Sequence, residues 1–321
     1  MEAQARHSTR LISLVVPFYN ESAVIEDFFH AVPPVLASIE RVDYEIVCVN
    51  DGSKDDTLAL LCAAAHTDSR IRVVDLSRNF GKEAAMTAGI DIAKGDAVIP
   101  FDADLQDPPE LIPELVRKWQ EGFDVVIARR IERSSDTYAK RLTAALFYRF
   151  HNAIADVKIP ENAGDFRLMA RQVVDELKRL PESRRFMKGL FAWVGFTQTY
   201  VDYVRQPRVA GKTKFSGWRL WNFALEGVTS FSTLPLRVWT YLGTVSALVS
   251  MLYAIYLVAR TVVHGRDLPG YASIITAVLF LGGIQLIGIG VIGEYIGRIY
   301  IESKRRPVYV IRHVFQKPEK S

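Results

Sequence analysis

Residues 99–107 read Ile99-Pro100-Phe101-Asp102-Ala103-Asp104-Leu105-Gln106-Asp107, an apolar run that ends in alternating oxygen-bearing side chains. On an extended segment residues two apart point the same way. Asp102, Asp104 and Gln106 are therefore expected to offer three oxygen donors to one side. Hard oxygen donors suit Mg²⁺ or Mn²⁺, which keep several waters and take other ligands from substrate phosphates. Such an ion would neutralise charge on a departing nucleoside diphosphate. An isolated Asp-x-Asp is common in turns. Its weight here comes from its place at a strand end, downstream of Val49-Asn50-Asp51-Gly52-Ser53.

These residues need a scaffold, and the hydrophobic pattern supplies one. Leu11–Val16, Tyr44–Asn50, Ile71–Leu76, Ala97–Phe101 and Phe123–Ala128 read as buried strands. Helices are expected between them: one starting near Asn20-Glu21-Ser22 and kinked or broken by Pro33-Pro34, one opened by a Ser53-x-x-Asp56 capping box, one over 82–93, and one from Pro108-Pro109 towards Trp119, ended by Gly122. Alternating strands and helices imply a mainly parallel sheet covered on both faces, with ligands beyond the carboxyl ends of the strands. Polar residues fall at those ends: Asn50-Asp51, Arg78-Asn79, Asp102-Asp104 and Arg129-Arg130. Strand ends are often polar singly, but four such clusters on one rim read as a site.

With 321 residues, 49% of them hydrophobic, the chain can hold a sizeable soluble core and a membrane part. The formal net charge of +4 is too small to favour a nucleic-acid partner, and none is expected. Cys48 and Cys62 lie in apolar runs and read as buried free thiols, which suits a reducing compartment. Met1 to Arg10 is polar and the apolar run after it is short, so no signal peptide is read and the N-terminal domain is expected in the cytosol. His30, His66, His151, His264 and His313 show no metal-ligand spacing.

Val238–Ala259 and Leu268–Gly293 carry no charged residue. Each exceeds the roughly 20 residues that cross a hydrocarbon core. Positive residues are denser before the first run (Lys212, Lys214, Arg219, Arg237) and after the second (Arg298, Lys304, Arg305, Arg306, Arg312) than in the connector, so both flanks are expected on the cytosolic side. Glu294 is costly in hydrocarbon and is expected at the interface or with a partner. Gly293-x-x-x-Gly297 permits close helix contact, within one chain or between copies. Trp218, Trp221, Leu225 and Val228 share one helical face just before the first run, which fits a helix lying in the membrane interface.

In combination the motifs become specific. Pro17-Phe18-Tyr19-Asn20-Glu21, Val49-Asn50-Asp51-Gly52-Ser53, Asn79-Phe80-Gly81-Lys82-Glu83 and Asp102-Ala103-Asp104-Leu105-Gln106-Asp107-Pro108-Pro109 resemble the GT-A family 2 glycosyltransferases that act on polyprenyl phosphates. Gly164-Asp165-Phe166-Arg167-Leu168-Met169 and the paired apolar runs resemble the bactoprenol glucosyltransferase branch, with dolichyl-phosphate mannose synthase more distant. The resemblance covers essentially the whole chain.

It implies a GT-A (Rossmann-like) α/β domain over residues 1–214, a juxtamembrane amphipathic helix over 215–235, two transmembrane helices over 236–297, and a cytosolic basic tail over 298–321. Pro17, Tyr19, Glu21 and Asp51 would cradle uracil and ribose. Asp102 would hold ribose or metal, and Asp104 and Gln106 would bind Mg²⁺ or Mn²⁺. Asp165 occupies the position of a base or acceptor-positioning carboxylate. Arg130, Arg133, Arg205, Arg208 and Lys214 match basic positions around phosphates. Thr213 and Phe215 stand where the pattern commonly has Ser and Tyr. The acceptor would be a phosphate monoester, whose second pKa is near ~6 and which is largely ionised at neutral pH, so Asp165 is expected to orient sugar or metal as much as to remove a proton.

The expected reaction is inverting transfer of a hexose, glucose by resemblance, from a UDP-sugar to undecaprenyl phosphate at the cytosolic face of a bacterial inner membrane. Both chain termini are expected in the cytosol, and a homo-oligomer, tetrameric by resemblance, is expected. Other donors considered are 4-formamido-arabinose, galactose, N-acetylhexosamine and GDP-mannose donors. A membrane scaffold with a vestigial nucleotide pocket is the rival from another class; the intact Asp102, Asp104, Gln106 and Asp165 argue against it.

Overall fold

The computed structural model describes residues 9–131, 163–182, 185, 187–204, 234–264 and 270–317. The five strands read from the sequence form as β1 (Arg10–Phe18), β2 (Val42–Asn50), β3 (Ile71–Leu76), β4 (Ala97–Pro100) and β5 (Val125–Arg130). Three more join them: β6 (Ala163–Ala170), β7 (Gln198–Tyr203) and β8 (Ile311–Gln316). The sheet order is β7-β5-β6-β4-β1-β2-β3-β8. It is mixed rather than mainly parallel along its whole width. Strand β6 runs antiparallel to both β4 and β5, and β8 runs antiparallel to β3.

Strand β1 shows why the sheet is two-sided. Ile12, Leu14, Val16 and Phe18 face one core, while Val15 faces the other. The first core lies under α1 (Ile25–Ala37), α2 (Thr57–Thr67) and α4 (Ile112–Gln120). The second lies under α3 (Lys82–Ile92), α5 (Arg171–Arg179) and α6 (Met187–Trp193). Helix α3 sits close on β1 because residue 89 is glycine: a Cβ there would fall 2.2 Å from Val15 Cγ1.

Local signals gave way to packing in two places. Pro33 and Pro34 lie inside α1 instead of breaking it; Phe28, Val32 and Leu36 bury one face of that helix, and this tertiary contact outweighs the proline penalty. The Ser53-x-x-Asp56 capping box does not form. Asp56 makes no side-chain cap, and Ser53 Oγ instead accepts the Asn20 amide at 3.0 Å. Cys48 is buried and Cys62 half-buried, both as free thiols.

Residues 298–321, expected only as a basic tail, contribute β8. The strand is fastened to the sheet by polar contacts. Arg312 donates to Ser77 O at 2.6 Å and lies 3.5 Å from the buried Asp75. Tyr309 donates to Asp91 at 2.8 Å. Gln316 Oε1 accepts from Arg72 Nε at 3.0 Å. Arg72 also pairs with Glu45 at 3.2 Å, and Glu45 accepts from Ser13 Oγ and the Lys94 amide.

Before β8 come two long helices, α7 (Leu234–His264) and α8 (Tyr271–Ser303), of 31 and 33 residues. At about 1.5 Å per residue each is about 45–50 Å long. Within them the stretch Phe280–Ser303 is long and apolar enough to cross a membrane by length and composition, and none of its most apolar window is buried. It begins later than the expected run Leu268–Gly293. In α7 the shorter stretch Tyr241–Tyr253 is apolar. Glu294 pairs with Arg298 at 3.1 Å, the partner that its cost in hydrocarbon called for. A Cβ added at Gly288 would lie 3.5 Å from the Trp239 ring, whereas Cβ atoms at Gly293 and Gly297 would meet nothing within 4 Å among the described residues. The Trp218–Val228 segment lies outside those residues.

Arg72 and Glu45 are both almost fully buried, and removing one partner of such a pair leaves an uncompensated charge. Arg72→Met is expected to destabilise the soluble domain by about 3 kcal/mol, read as a lowered midpoint in denaturant unfolding followed by tryptophan fluorescence. A loss below about 1 kcal/mol would show that the pair does not anchor the edge of the sheet.

Candidate active site

The rim formed by the carboxyl ends of β1, β2, β3 and β4 collects the polar groups that the sequence placed there. Loops after β1 and β2 clasp each other. Asn20 donates its amide to Ser53 Oγ, and its side-chain oxygen accepts the Lys54 amide at 2.8 Å. The Glu21 amide donates to Thr57 Oγ1 at 3.0 Å. Asn20 adopts φ +52°, a left-handed conformation that asparagine tolerates better than most residues. Tyr19 stays 40% exposed at the mouth of this cradle, and Pro17 sits opposite Val49 in the β1–β2 ladder.

Asp51 ties the cradle to the next loop. Its two carboxylate oxygens accept the amides of Phe80 and Gly81 at 2.7 and 2.9 Å. Burial lifts its pKa above the ordinary carboxylate value, and the two amides offset only part of that. Gly52 makes the approach possible: its φ is +63°, and a Cβ there would lie 2.5 Å from the backbone of Arg78 and Asn79. The neighbouring Asn50 donates to Asp75 at 2.8 Å, so β2 and β3 are joined at the rim as well as along their ladder.

The acidic residues come together through strand register. In the β4–β6 ladder Ala97 faces Ala170 and Val98 faces Met169. Continued along both chains, that register sets Phe101 opposite Phe166 and Asp102 opposite Asp165. The two phenyl rings meet edge to face, 5.2 Å between centroids, in the core under α1. Alternation then turns Asp102 and Asp165 to the other face, where α3 begins.

One side chain fills the space between them. Lys82, the first residue of α3, places Nζ 2.7 Å from Asp102 Oδ1, 2.9 Å from Asp102 Oδ2 and 3.1 Å from Asp165 Oδ2. Burial works against the charged ammonium, but the two carboxylates outweigh it and hold the Lys82 pKa above its ordinary value. Burial is also the largest influence on Asp102, raising its pKa; Lys82 opposes this, and Asp165 and Asp107 add to it. Arg167, two residues along β6, donates to Gly164 O at 2.7 Å and stacks over the Phe191 ring at 4.2 Å. Burial pushes its guanidinium down to about 10, with Asp165 acting in the opposite sense.

The segment after Asp102 is a turn, not the extended stretch expected. Leu105 adopts φ +52°, and Asp104 Oδ1 accepts the Gln106 amide at 3.3 Å. Strict alternation is therefore lost. Asp104 remains half-exposed at the rim, while Gln106 is 3% exposed and its side-chain nitrogen has no hydrogen-bond partner among the described residues. No cluster of three or more Asp, Glu, His or Cys able to hold a metal forms among those residues. Two carboxylates with phosphate oxygens and water are nevertheless a common Mg²⁺ arrangement. Asp102 and Asp165 already converge on one cation, the Lys82 ammonium, so this donor set fits a divalent ion.

At the end of β5 Arg129 is engaged by Asp202 at 2.6 and 2.9 Å. Arg130 bonds Tyr203, whose hydroxyl donates to Asp107. Arg133, Arg205, Arg208 and Lys214 lie outside the described residues. Sequence reasoning missed Lys82 as a site residue. The available signal was its position just past the rim residues Arg78-Asn79.

The mixed α/β sheet, parallel at its centre and with polar groups gathered beyond the strand ends, is the Rossmann-like sheet of a GT-A domain. The chain belongs to glycosyl transferase family 2, whose family model matches residues 13–178, and residues 234–299 match the GtrB C-terminal hairpin. A bactoprenol glucosyl transferase of Shigella phage SfV is 55% identical over 95% of this chain and 99% of its own. A prophage bactoprenol glucosyl transferase homolog of Escherichia coli is 53% identical over 94% and 99%. An uncharacterized glycosyltransferase of Synechocystis is 56% identical over 94% of each chain. Among solved structures, glucosyl-3-phosphoglycerate synthase from Mycobacterium tuberculosis overlaps with a TM-score of 0.46 at 22% identity, over 67% of this chain and 76% of that one.

Gly52→Ala is expected to push the 51–53 loop away from residues 78–79 and loosen the cradle. An alanine forced into this left-handed conformation should cost about 1–3 kcal/mol of stability, read as a lowered midpoint in denaturant unfolding. An unchanged midpoint would show that the loop contact does not hold residues 51–53 in place.

Proposed function

We propose that this protein transfers glucose from UDP-glucose to a polyprenyl phosphate, undecaprenyl phosphate in a bacterial inner membrane, with inversion at the anomeric carbon. The observation that carries the reading is the convergence of Asp102 and Asp165 on a single cation beside the cradle held by Asp51. Identity of 53–55% to bactoprenol glucosyl transferases over nearly the whole chain supports the sugar and the acceptor. In the reaction an acceptor phosphate oxygen bonds to the anomeric carbon as the bond from that carbon to the β-phosphate oxygen of UDP breaks.

Pro17, Tyr19, Glu21 and Asp51 would hold uracil and ribose, with Asp51 also fixing the loop that carries Lys82. Asp102, Asp104 and Gln106, with Asp165 beside them, would hold Mg²⁺ or Mn²⁺. The ion, when bound, supplies charge neutralisation on the diphosphate. Asp165 would orient sugar and metal, since the acceptor phosphate is already ionised at neutral pH. Arg130, Arg133, Arg205, Arg208 and Lys214 would pair with phosphates, which needs cations where a lipid phosphate dianion approaches acidic groups.

The membrane reading is that α7 and α8 form a two-span hairpin with both flanks cytosolic. The match of 234–299 to a C-terminal hairpin family and the apolar surface of Phe280–Ser303 support it. The return of the chain to the catalytic sheet as β8 also requires residue 311 to lie on the same side as β3. Assembly into a homo-oligomer is part of this reading, with the Gly293–Gly297 face of α8, which no described residue covers, offered to a second copy.

Purified enzyme given UDP-glucose, undecaprenyl phosphate and Mg²⁺ or Mn²⁺ is expected to release UDP and form a glucosylated lipid phosphate. Chelation should stop the reaction and either ion should restore it. Asp104→Ala should lower turnover by at least ~100-fold, a loss of ~2.7 kcal/mol in transition-state stabilisation, with folding and membrane insertion retained. Lipid-independent UDP release, or full turnover by Asp104→Ala, would contradict the assignment.

A further inference from the structure

Lys82 has no role in the reading above, yet it is the group around which the acidic rim is organised. Its ammonium touches both oxygens of Asp102 and one of Asp165 within 2.7–3.1 Å. Its root is as firmly fixed as its tip. The two amides before it, Phe80 and Gly81, are held by Asp51, and Gly81 takes the positive φ of +98° that starts α3 at this point. The carboxylates are fixed from the opposite side by the β4–β6 register and by the Phe101–Phe166 contact. The side chain as a whole is 46% exposed, so solvent and ligands can reach it.

We propose that Lys82 is a positioning residue that serves as the resident cation of the acidic rim: it holds Asp102 and Asp165 together in the empty enzyme and is displaced onto the donor diphosphate when metal and nucleotide bind. The proposal rests on the glycosyltransferase reading for the identity of the donor. Two facing carboxylates repel unless a cation lies between them, and among the described residues Lys82 is the cation that touches both. A divalent ion entering alone must evict the ammonium into water. An ion entering with UDP gives the ammonium a new anionic partner. Metal and nucleotide therefore bind as a coupled pair, and linkage requires the coupling to be equal in both directions.

The test is a Mn²⁺ titration of the full-length enzyme in detergent, with free Mn²⁺ followed by electron paramagnetic resonance, with and without UDP. In the wild type UDP should tighten Mn²⁺ binding at least ~10-fold, a coupling of ~1.4 kcal/mol. Lys82→Met removes the charge and keeps the stem. It should bind Mn²⁺ without UDP several-fold more tightly than wild type, show a smaller UDP coupling that keeps only the part supplied by direct diphosphate ligation, and show a reduced kcat. Lys82→Arg should retain the coupling. A lysine that mattered only for folding would not make metal binding tighter when removed. Unchanged or weaker Mn²⁺ binding by Lys82→Met overturns the proposal. If that variant does not fold, absence of coupling in the wild type overturns it equally. Failure of glucose transfer with the Mn²⁺–UDP coupling intact would count against the glycosyltransferase reading and leave the role of Lys82 standing.

Discussion

The register of β4 against β6 is the constraint on which the site depends. Ala97 opposite Ala170 and Val98 opposite Met169 leave no freedom further along: Phe101 and Phe166 must meet in one core, and Asp102 and Asp165 must face each other on the other side. A one-residue slip of β6 would turn Asp165 towards the core of Phe28 and Leu14 and Phe166 towards the rim. Two negative groups driven together in this way need a cation. In the structure that cation comes from α3, whose own placement depends on the close approach permitted by Gly89.

The second support is the loop stack above β2 and β3. Asp51 is buried at an energetic cost, visible in its raised pKa, and answers it with two amide hydrogen bonds. Those bonds hold the chain that leads into Lys82. Nucleotide cradle and acidic rim are thus one connected object. Strand β8 extends the connection towards the helices α7 and α8, since Arg312 reaches Asp75, and Asp75 accepts from Asn50 beside Asp51.

Much of this was legible in the sequence where local pattern decides structure. The five apolar runs became β1 to β5, Gly122 ended α4 with φ +106°, and the rim residues fell at strand ends. What was missed depends on contacts distant along the chain. Strand β6 has a mixed sequence, Ala163-Gly164-Asp165-Phe166-Arg167-Leu168-Met169-Ala170, and its charged members Asp165 and Arg167 are met by Lys82 of α3 and Phe191 of α6, partners that the local sequence does not announce. Strand β8 follows two apolar helices and pairs with a strand more than 200 residues earlier, which no local signal reveals. Leu105 at φ +52° bends the acidic motif although leucine gives no turn signal. Lys82 was hidden because its partners lie on two other elements.

Central to the proposed function is an acidic rim that gathers a divalent ion and the donor diphosphate at one point. Pulsed electron paramagnetic resonance on the wild-type enzyme with Mn²⁺ and UDP measures this directly through the ³¹P hyperfine coupling. A coupling of the size given by direct phosphate ligation is expected, lost in Asp102→Asn. Mn²⁺ bound to the enzyme beside UDP with no ³¹P coupling would contradict it.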